Sequence, residues 1–110
     1  MRLHGIDCPE KGQPFGQVAK QFASKAIYGK TVKVDSTDTD RYGRTIGIVW
    51  YDEPAQSLNE ALLKAGLAWH YTRYDQNAAW AKLELAARTA QIGLWADKQP
   101  VAPWEWRYMQ

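Results

Sequence analysis

Only one cysteine, Cys8, occurs in the 110 residues, so no disulfide can form within the chain. With two histidines besides, there is no Cys/His cluster of the kind that holds zinc. No apolar run approaches the roughly 20 residues needed to cross a bilayer. Arg2, His4, Asp7 and Glu10 fall within the first ten residues, which is no signal-peptide pattern. Internal repeats and low-complexity tracts are absent as well. Neither charge sign dominates: a net charge of +2 and a pI near 8.7 permit a polyanionic partner without demanding one.

What the chain has in quantity is apolar and aromatic. Apolar residues make up 45% of it, enough for one domain with one core at this length. Six Trp and six Tyr are many for a single small domain, and they imply large core anchors, a stacking surface, or both.

Residues 2–6 read as the end of a strand and 7–12 as a turn punctuated by Pro9 and Gly12. A helix is expected from Pro14, with Phe15, Val18, Ala19, Phe22 and Ala26 on one face and Gly29 as its stop. Thr31–Asp35 alternates like a strand, residues 36–43 read as a polar loop, and a second strand runs from Arg44 to about Tyr51, with Ile46, Ile48 and Trp50 on one face. Asp52-Glu53-Pro54 ends it. Ser57-Leu58-Asn59-Glu60 is a capping box, opening a helix that stops at Gly66. Asn77 caps a third helix lined by Trp80, Leu83, Ala87 and Ala90, with a favourable Glu84/Arg88 pair at i,i+4. The segment from Pro100 is expected to be extended and to pack Trp104, Trp106 and Tyr108 on the domain surface. Three short strands make a poor sheet with two open edges, which predicts strand partners upstream of Met1.

Chemistry concentrates in two segments, Arg2–Glu10 and Asp40–Arg44. Asp7 and Glu10, three apart across a proline turn, can share one hard cation such as Ca²⁺, Mg²⁺ or Mn²⁺. Equally, Asp7 can open an Asx turn with Glu10 solvated. Arg2 and Arg44 can clamp a phosphate bidentately, or serve as sheet-end arginines paired with acids. Cys8 has no base nearby in sequence and is not expected to be a nucleophile. His4 and His70 read as structural. Tyr71, Arg73 and Tyr74 can flank a nucleotide by stacking or form an aromatic cluster under the tail.

Taken together, Arg2-Leu3-x-Gly5-Ile6-Asp7-x-Pro9-Glu10, Phe15-Gly16-x-x-Ala19, Asp40-Arg41-Tyr42-Gly43-Arg44, Asn59-Glu60-Ala61-Leu62 with Gly66-Leu67-Ala68, and Gly93-Leu94-Trp95 resemble the thermonuclease (staphylococcal-nuclease-like) family. The resemblance implies an α+β fold, a small five-stranded OB-type barrel with three helices. It spans residues 1–99 followed by an aromatic tail over 100–110, and lacks the family's first two strands in this chain. A domain-swapped or strand-completing oligomer would supply them. By resemblance Arg2, Glu10 and Arg44 are catalytic; Asp7 and the backbone carbonyl of Cys8 bind Ca²⁺; Arg41, Tyr42, Tyr71 and Tyr74 contact substrate. The activity implied is calcium-dependent hydrolysis of DNA and RNA to 3′-phosphorylated products. The family's further aspartate ligand has no counterpart here, which leaves open a second reading: a catalytically impaired module that binds nucleic acid or protein. A third, an interaction protein using its aromatic tail, rests on that tail alone. Family members are often exported.

Overall fold

The computed structural model describes residues 2–51, 56–72 and 75–109, with the side chains of Arg2 and Gln56 outside the description. The expected strand end at 52–54, and Arg73 and Tyr74, lie outside the described residues.

Alternation in β4 (Thr45–Tyr51) buries one face of that strand, and the exposed β3 (Lys33–Thr39) pairs with it as an antiparallel hairpin, Lys33 with Trp50 and Thr39 with Thr45, with a register shift between Ser36 and Asp38. The strand expected at Thr31–Asp35 therefore starts later and reaches further, and the loop shrinks to a tight turn. On the other edge of β4, β1 (Arg2–Leu3) pairs in parallel, Arg2 beside Ile46 and Leu3 beside Gly47. The two-residue strand β5 (Gln56–Ser57) pairs with the end of β4. A separate two-stranded ladder joins β2 (Ile6–Asp7) to β6 (Trp69–His70). The described strands thus form an open four-stranded sheet and a ribbon; the closed barrel implied by the resemblance is not seen among them. Ile46, Ile48 and Trp50 do share a face, but Gly47, Val49 and Tyr51 are the buried side of β4.

Helix α1 (Gly16–Ile27) starts two residues later than expected. It buries Ala19 and leans Phe22 and Ala26 on the core, while Val18 turns outward. Helix α2 (Leu58–Lys64) is capped as its sequence dictates: Ser57 Oγ accepts from the Glu60 N–H and donates to Glu60 Oε1, both at 3.0 Å. It is the centre of the core, with Leu62 and Leu63 essentially inaccessible; burying each such side chain contributes about 1.5–3 kcal/mol. Asn59, also fully buried, is the polar pin of that core. Its Oδ1 accepts from Val49 N–H at 3.1 Å, and its Nδ2 donates to His4 O at 3.0 Å, fastening β1 to β4 beyond their short ladder. Asn77 caps α3 (Ala78–Ala90) through two N–H groups, and Glu84 meets Arg88 at 3.4 Å as the spacing predicts. Trp80 and Ala87 face inward, whereas Ala90 is exposed. A 3₁₀ turn (Gly93–Ala96) follows.

The tail corrects the sequence reading. Residues Pro103–Met109 form a fourth helix, α4, rather than an extended strand. Pro103 takes the first helical position, where a missing N–H costs nothing. Two of the three tail aromatics pack, but Tyr108 is 92% exposed.

Candidate active site

Asp7 ends β2, opposite Trp69 on β6, and its side chain is buried. Beyond it Pro9 takes the chain out of the strand, and the following loop is shaped by hydrogen bonds. Glu10 N–H donates to Gln13 Oε1 at 2.9 Å, and Glu10 O accepts from Gln13 N–H at 2.9 Å. Helix α1 then starts against that same carbonyl. A Cβ at Gly16 would collide with Glu10 O, so only glycine lets the helix approach so closely. Phe15 enters the helix with φ of 70°, a left-handed conformation that costs a non-glycine residue about 1–3 kcal/mol. Its ring packs against both apolar clusters of the core, which is what holds it there.

The two acids are joined by a residue that sequence reasoning did not single out. Arg107 of α4 puts Nη2 2.8 Å from Asp7 Oδ2 and Nη1 3.5 Å from Asp7 Oδ1, and Nη1 also pairs with Glu10 Oε1. The hydrogen bonds to Asp7 and Glu10 push the Arg107 pKa upward against its partial burial. The negative field is felt on Cys8 too: burial first, then Asp7 and Glu10, push its thiol up to about 12. A thiol raised this far carries little thiolate at neutral pH. Asp7 and Glu10 are hard oxygen donors suited to Ca²⁺. Among the described residues, no group of three or more His, Cys, Asp or Glu side chains gathers to hold a metal. Among the described residues the side-chain oxygen donors at this corner are thus the carboxylates of Asp7 and Glu10, chemically suited to calcium but few in number.

Arg44 lies on the β3–β4 hairpin. Asp40 Oδ1 accepts from the N–H groups of Tyr42 and Arg44, each at 2.9 Å, and Asp40 Oδ2 takes the Arg44 Nε at 2.7 Å. Partial desolvation works to raise the Asp40 pKa, but these N–H groups and the guanidinium hold it below the usual carboxylate range. Gly43 sits at φ 82°, the conformation that lets so short a turn close. Tyr42 is 70% exposed, with the Arg41 and Arg44 guanidiniums 5.1 and 5.6 Å from its ring centre. Arg44 is therefore paired with Asp40 rather than with the acid corner, and Tyr42 and Arg41 stand in solvent beside it. The backbone of Arg2 runs beside Ile46, two residues along from Arg44.

Tyr71 is stacked on Trp104 of α4, centroids 4.8 Å apart and planes 17° from parallel, and Trp104 also meets Trp69 edge-on at 5.5 Å. A second group escaped the sequence reading. Asp75 bridges two histidines, Oδ1 to His4 Nε2 at 3.2 Å and Oδ2 to His70 Nε2 at 2.7 Å. Desolvation acts to raise the Asp75 pKa; the His70 hydrogen bond, the Asn77 N–H and His4 outweigh it and lower it. His4 and His70, read from the sequence as two isolated structural residues, are thus two arms of one clasp on Asp75. Gly5, at φ 71°, lies against Asp75 and Trp80, where a Cβ would come within 2.9 Å of both.

The chain was compared with known proteins. A profile of the family described as "Staphylococcal nuclease homologue" matches residues 1–97. The "Probable staphylococcal-like nuclease CAN1" of Oryza sativa subsp. japonica is 47% identical over 107 residues, 97% of this chain and 32% of the relative. The "Staphylococcal-like nuclease CAN1" of Arabidopsis thaliana is 45% identical over the same shares. An "Uncharacterized endonuclease" of Haemophilus influenzae is 39% identical over 97% of this chain and 59% of its own length. The chain thus spans about a third of the plant relatives and over half of the bacterial one.

Proposed function

Because the chain belongs to the staphylococcal nuclease homologue family, we propose that it is a calcium-dependent nuclease that hydrolyses the phosphodiester bonds of DNA and RNA to 3′-phosphorylated fragments. The observation that carries this reading is the acid corner: Asp7 and Glu10, ending one strand and opening one loop, are close enough to share a single guanidinium.

Asp7 and the backbone carbonyl of Cys8 would hold the calcium ion, which when bound supplies a fixed positive charge for the phosphate oxygens. Glu10, with its side chain 35% accessible, takes a proton from the attacking water. The water oxygen bonds to phosphorus in line with the departing 5′ oxygen; the P–O5′ bond breaks, the 5′ oxygen takes a proton from solvent to leave as a hydroxyl, and the phosphate stays on the 3′ side. Arg2 and Arg44 stabilise the equatorial oxygens as negative charge grows on them, which requires Arg44 to exchange Asp40 for phosphate. Arg41 and Tyr42 contact the strand from the hairpin, and Tyr71 and Tyr74 flank a nucleotide.

A second reading, a nucleic-acid- or protein-binding module without chemistry, is favoured by the small donor set among the described residues. Incubating the chain with single-stranded DNA and with RNA, in calcium and in a calcium chelator, separates the two. The nuclease reading expects cleavage in calcium alone, with 3′-phosphate ends. Binding without cleavage under both conditions supports the module.

A further inference from the structure

The acid corner is bridged by a residue beyond the 1–97 segment that the family profile matches. We propose that Arg107 is a positioning residue of the site: its single guanidinium sets the spacing and orientation of the Asp7 and Glu10 carboxylates. The proposal rests on the nuclease reading above.

Glu10 sits in a loop, so its backbone alone does not fix where its carboxylate points. Two carboxylates held side by side repel unless a cation lies between them. Among the described residues Arg107 lies between them, and its planar fork bridges two acceptors at defined angles, where an ammonium is a point charge. A carboxylate offers about four lone-pair sites, so a guanidinium and a metal ion can share Asp7.

Arg107 arrives on a fixed support. Trp104 and Arg107 are three residues apart on α4 and share a face. Trp104 is locked against Tyr71 and Trp69, while Ala102 and Pro103 are buried at the base of the helix. A second link runs through Gln13, 6% exposed, whose Oε1 takes the Glu10 N–H while its Nε2 donates to Val101 O at 2.6 Å. The tail is thus wired to the Glu10 loop through both the backbone and the side chain of Glu10. The segments shared with the plant and bacterial relatives cover 97% of the chain, so they reach into α4 where the family profile stops at 97.

The test uses Arg107→Met and Arg107→Lys in the full chain. Steady-state cleavage of single-stranded DNA in calcium gives kcat and KM, and tryptophan-sensitised terbium luminescence gives metal affinity without turnover. Arg107→Met should lower kcat tenfold or more with KM changed less than threefold, and should bind terbium at least threefold more tightly because a neighbouring positive charge is gone. Arg107→Lys should restore wild-type terbium affinity yet leave kcat low, since charge returns without the fork. A kcat at or above wild type in Arg107→Met would overturn the proposal and make Arg107 a mere competitor for the cation. Full recovery of kcat in Arg107→Lys would also overturn it, reducing the role to charge. If the wild-type chain cleaves nothing in calcium, the nuclease reading fails, and terbium then decides for Arg107: unchanged affinity in Arg107→Met overturns its contact with the metal's acids, and tightening upholds it.

Discussion

The acid corner and the β3–β4 hairpin carry complementary charges and are built in opposite ways. In the hairpin Arg44 is held, among the described residues, by partners within four residues of it, Asp40 and Tyr42. All seven residues of β3 are exposed, so this region has little burial to resist local opening. The acid corner is part-buried, and its fastenings span the chain: Arg107 lies 97 residues from Glu10 and 100 from Asp7. The contrast assigns different work to each. Under the proposed mechanism, the cross-linked corner would hold groups that must keep their geometry, and the exposed, self-wired turn would carry the arginine that exchanges Asp40 for phosphate.

The largest effect should follow removal of the base. Glu10→Gln should lower kcat by about 10²–10⁴ with the fold intact, read by steady-state cleavage together with thermal melting. A wild-type rate would remove Glu10 from the chemistry. Arg44→Ala should come next, at roughly 10²–10³ in kcat and less in KM, because its grip strengthens as the phosphate gains charge. Equal losses in both would make it a simple attractor.

Gly16→Ala probes the rigidity of the corner without touching an acid. The new Cβ must displace the Glu10 carbonyl, and a shift of about 1 Å can cost up to about 10² in rate. By comparison, Thr39→Val on the exposed face of the hairpin should leave the rate alone. The smallest effect on catalysis, though not on stability, belongs to the histidine clasp. Asp75→Ala leaves the buried His70 Nε2 unpaired and should cost about 1–3 kcal/mol, measured by urea denaturation. The Asp75 carboxyl is lowered in the fold, so the unfolded chain binds its proton first as pH falls. Its stabilising contribution is complete above about pH 4 and is lost as pH drops through the folded value. Wild type should therefore lose stability faster than Asp75→Ala on acidification from pH 4 to pH 2.

The same contrast explains what the sequence disclosed. The Ser57 and Asn77 caps and the Glu84–Arg88 pair were all legible because their partners lie within four residues. The Asp7–Glu10 pairing was legible as a spacing. Arg107 was not, because a lone arginine in a Trp-rich tail carries no local sign of a partner a hundred residues away, and the proline-flanked tail looked extended until Trp104 found Tyr71 and Trp69. Asp75 was hidden similarly: it lies five residues from His70 but bridges to His4, 71 residues distant. The strand registers were missed because β3 is fully exposed and shows no buried face to set its bounds.

The central claim is that the cross-linked corner and the exposed hairpin act on one phosphorus atom. A double-mutant cycle on cleavage rate, with Glu10→Gln, Arg44→Ala and both together, tests this most directly. Residues that work as a unit are strongly non-additive, so the double variant should be little slower than the slower single one. Losses that multiply in full would show two independent contributions and contradict the account.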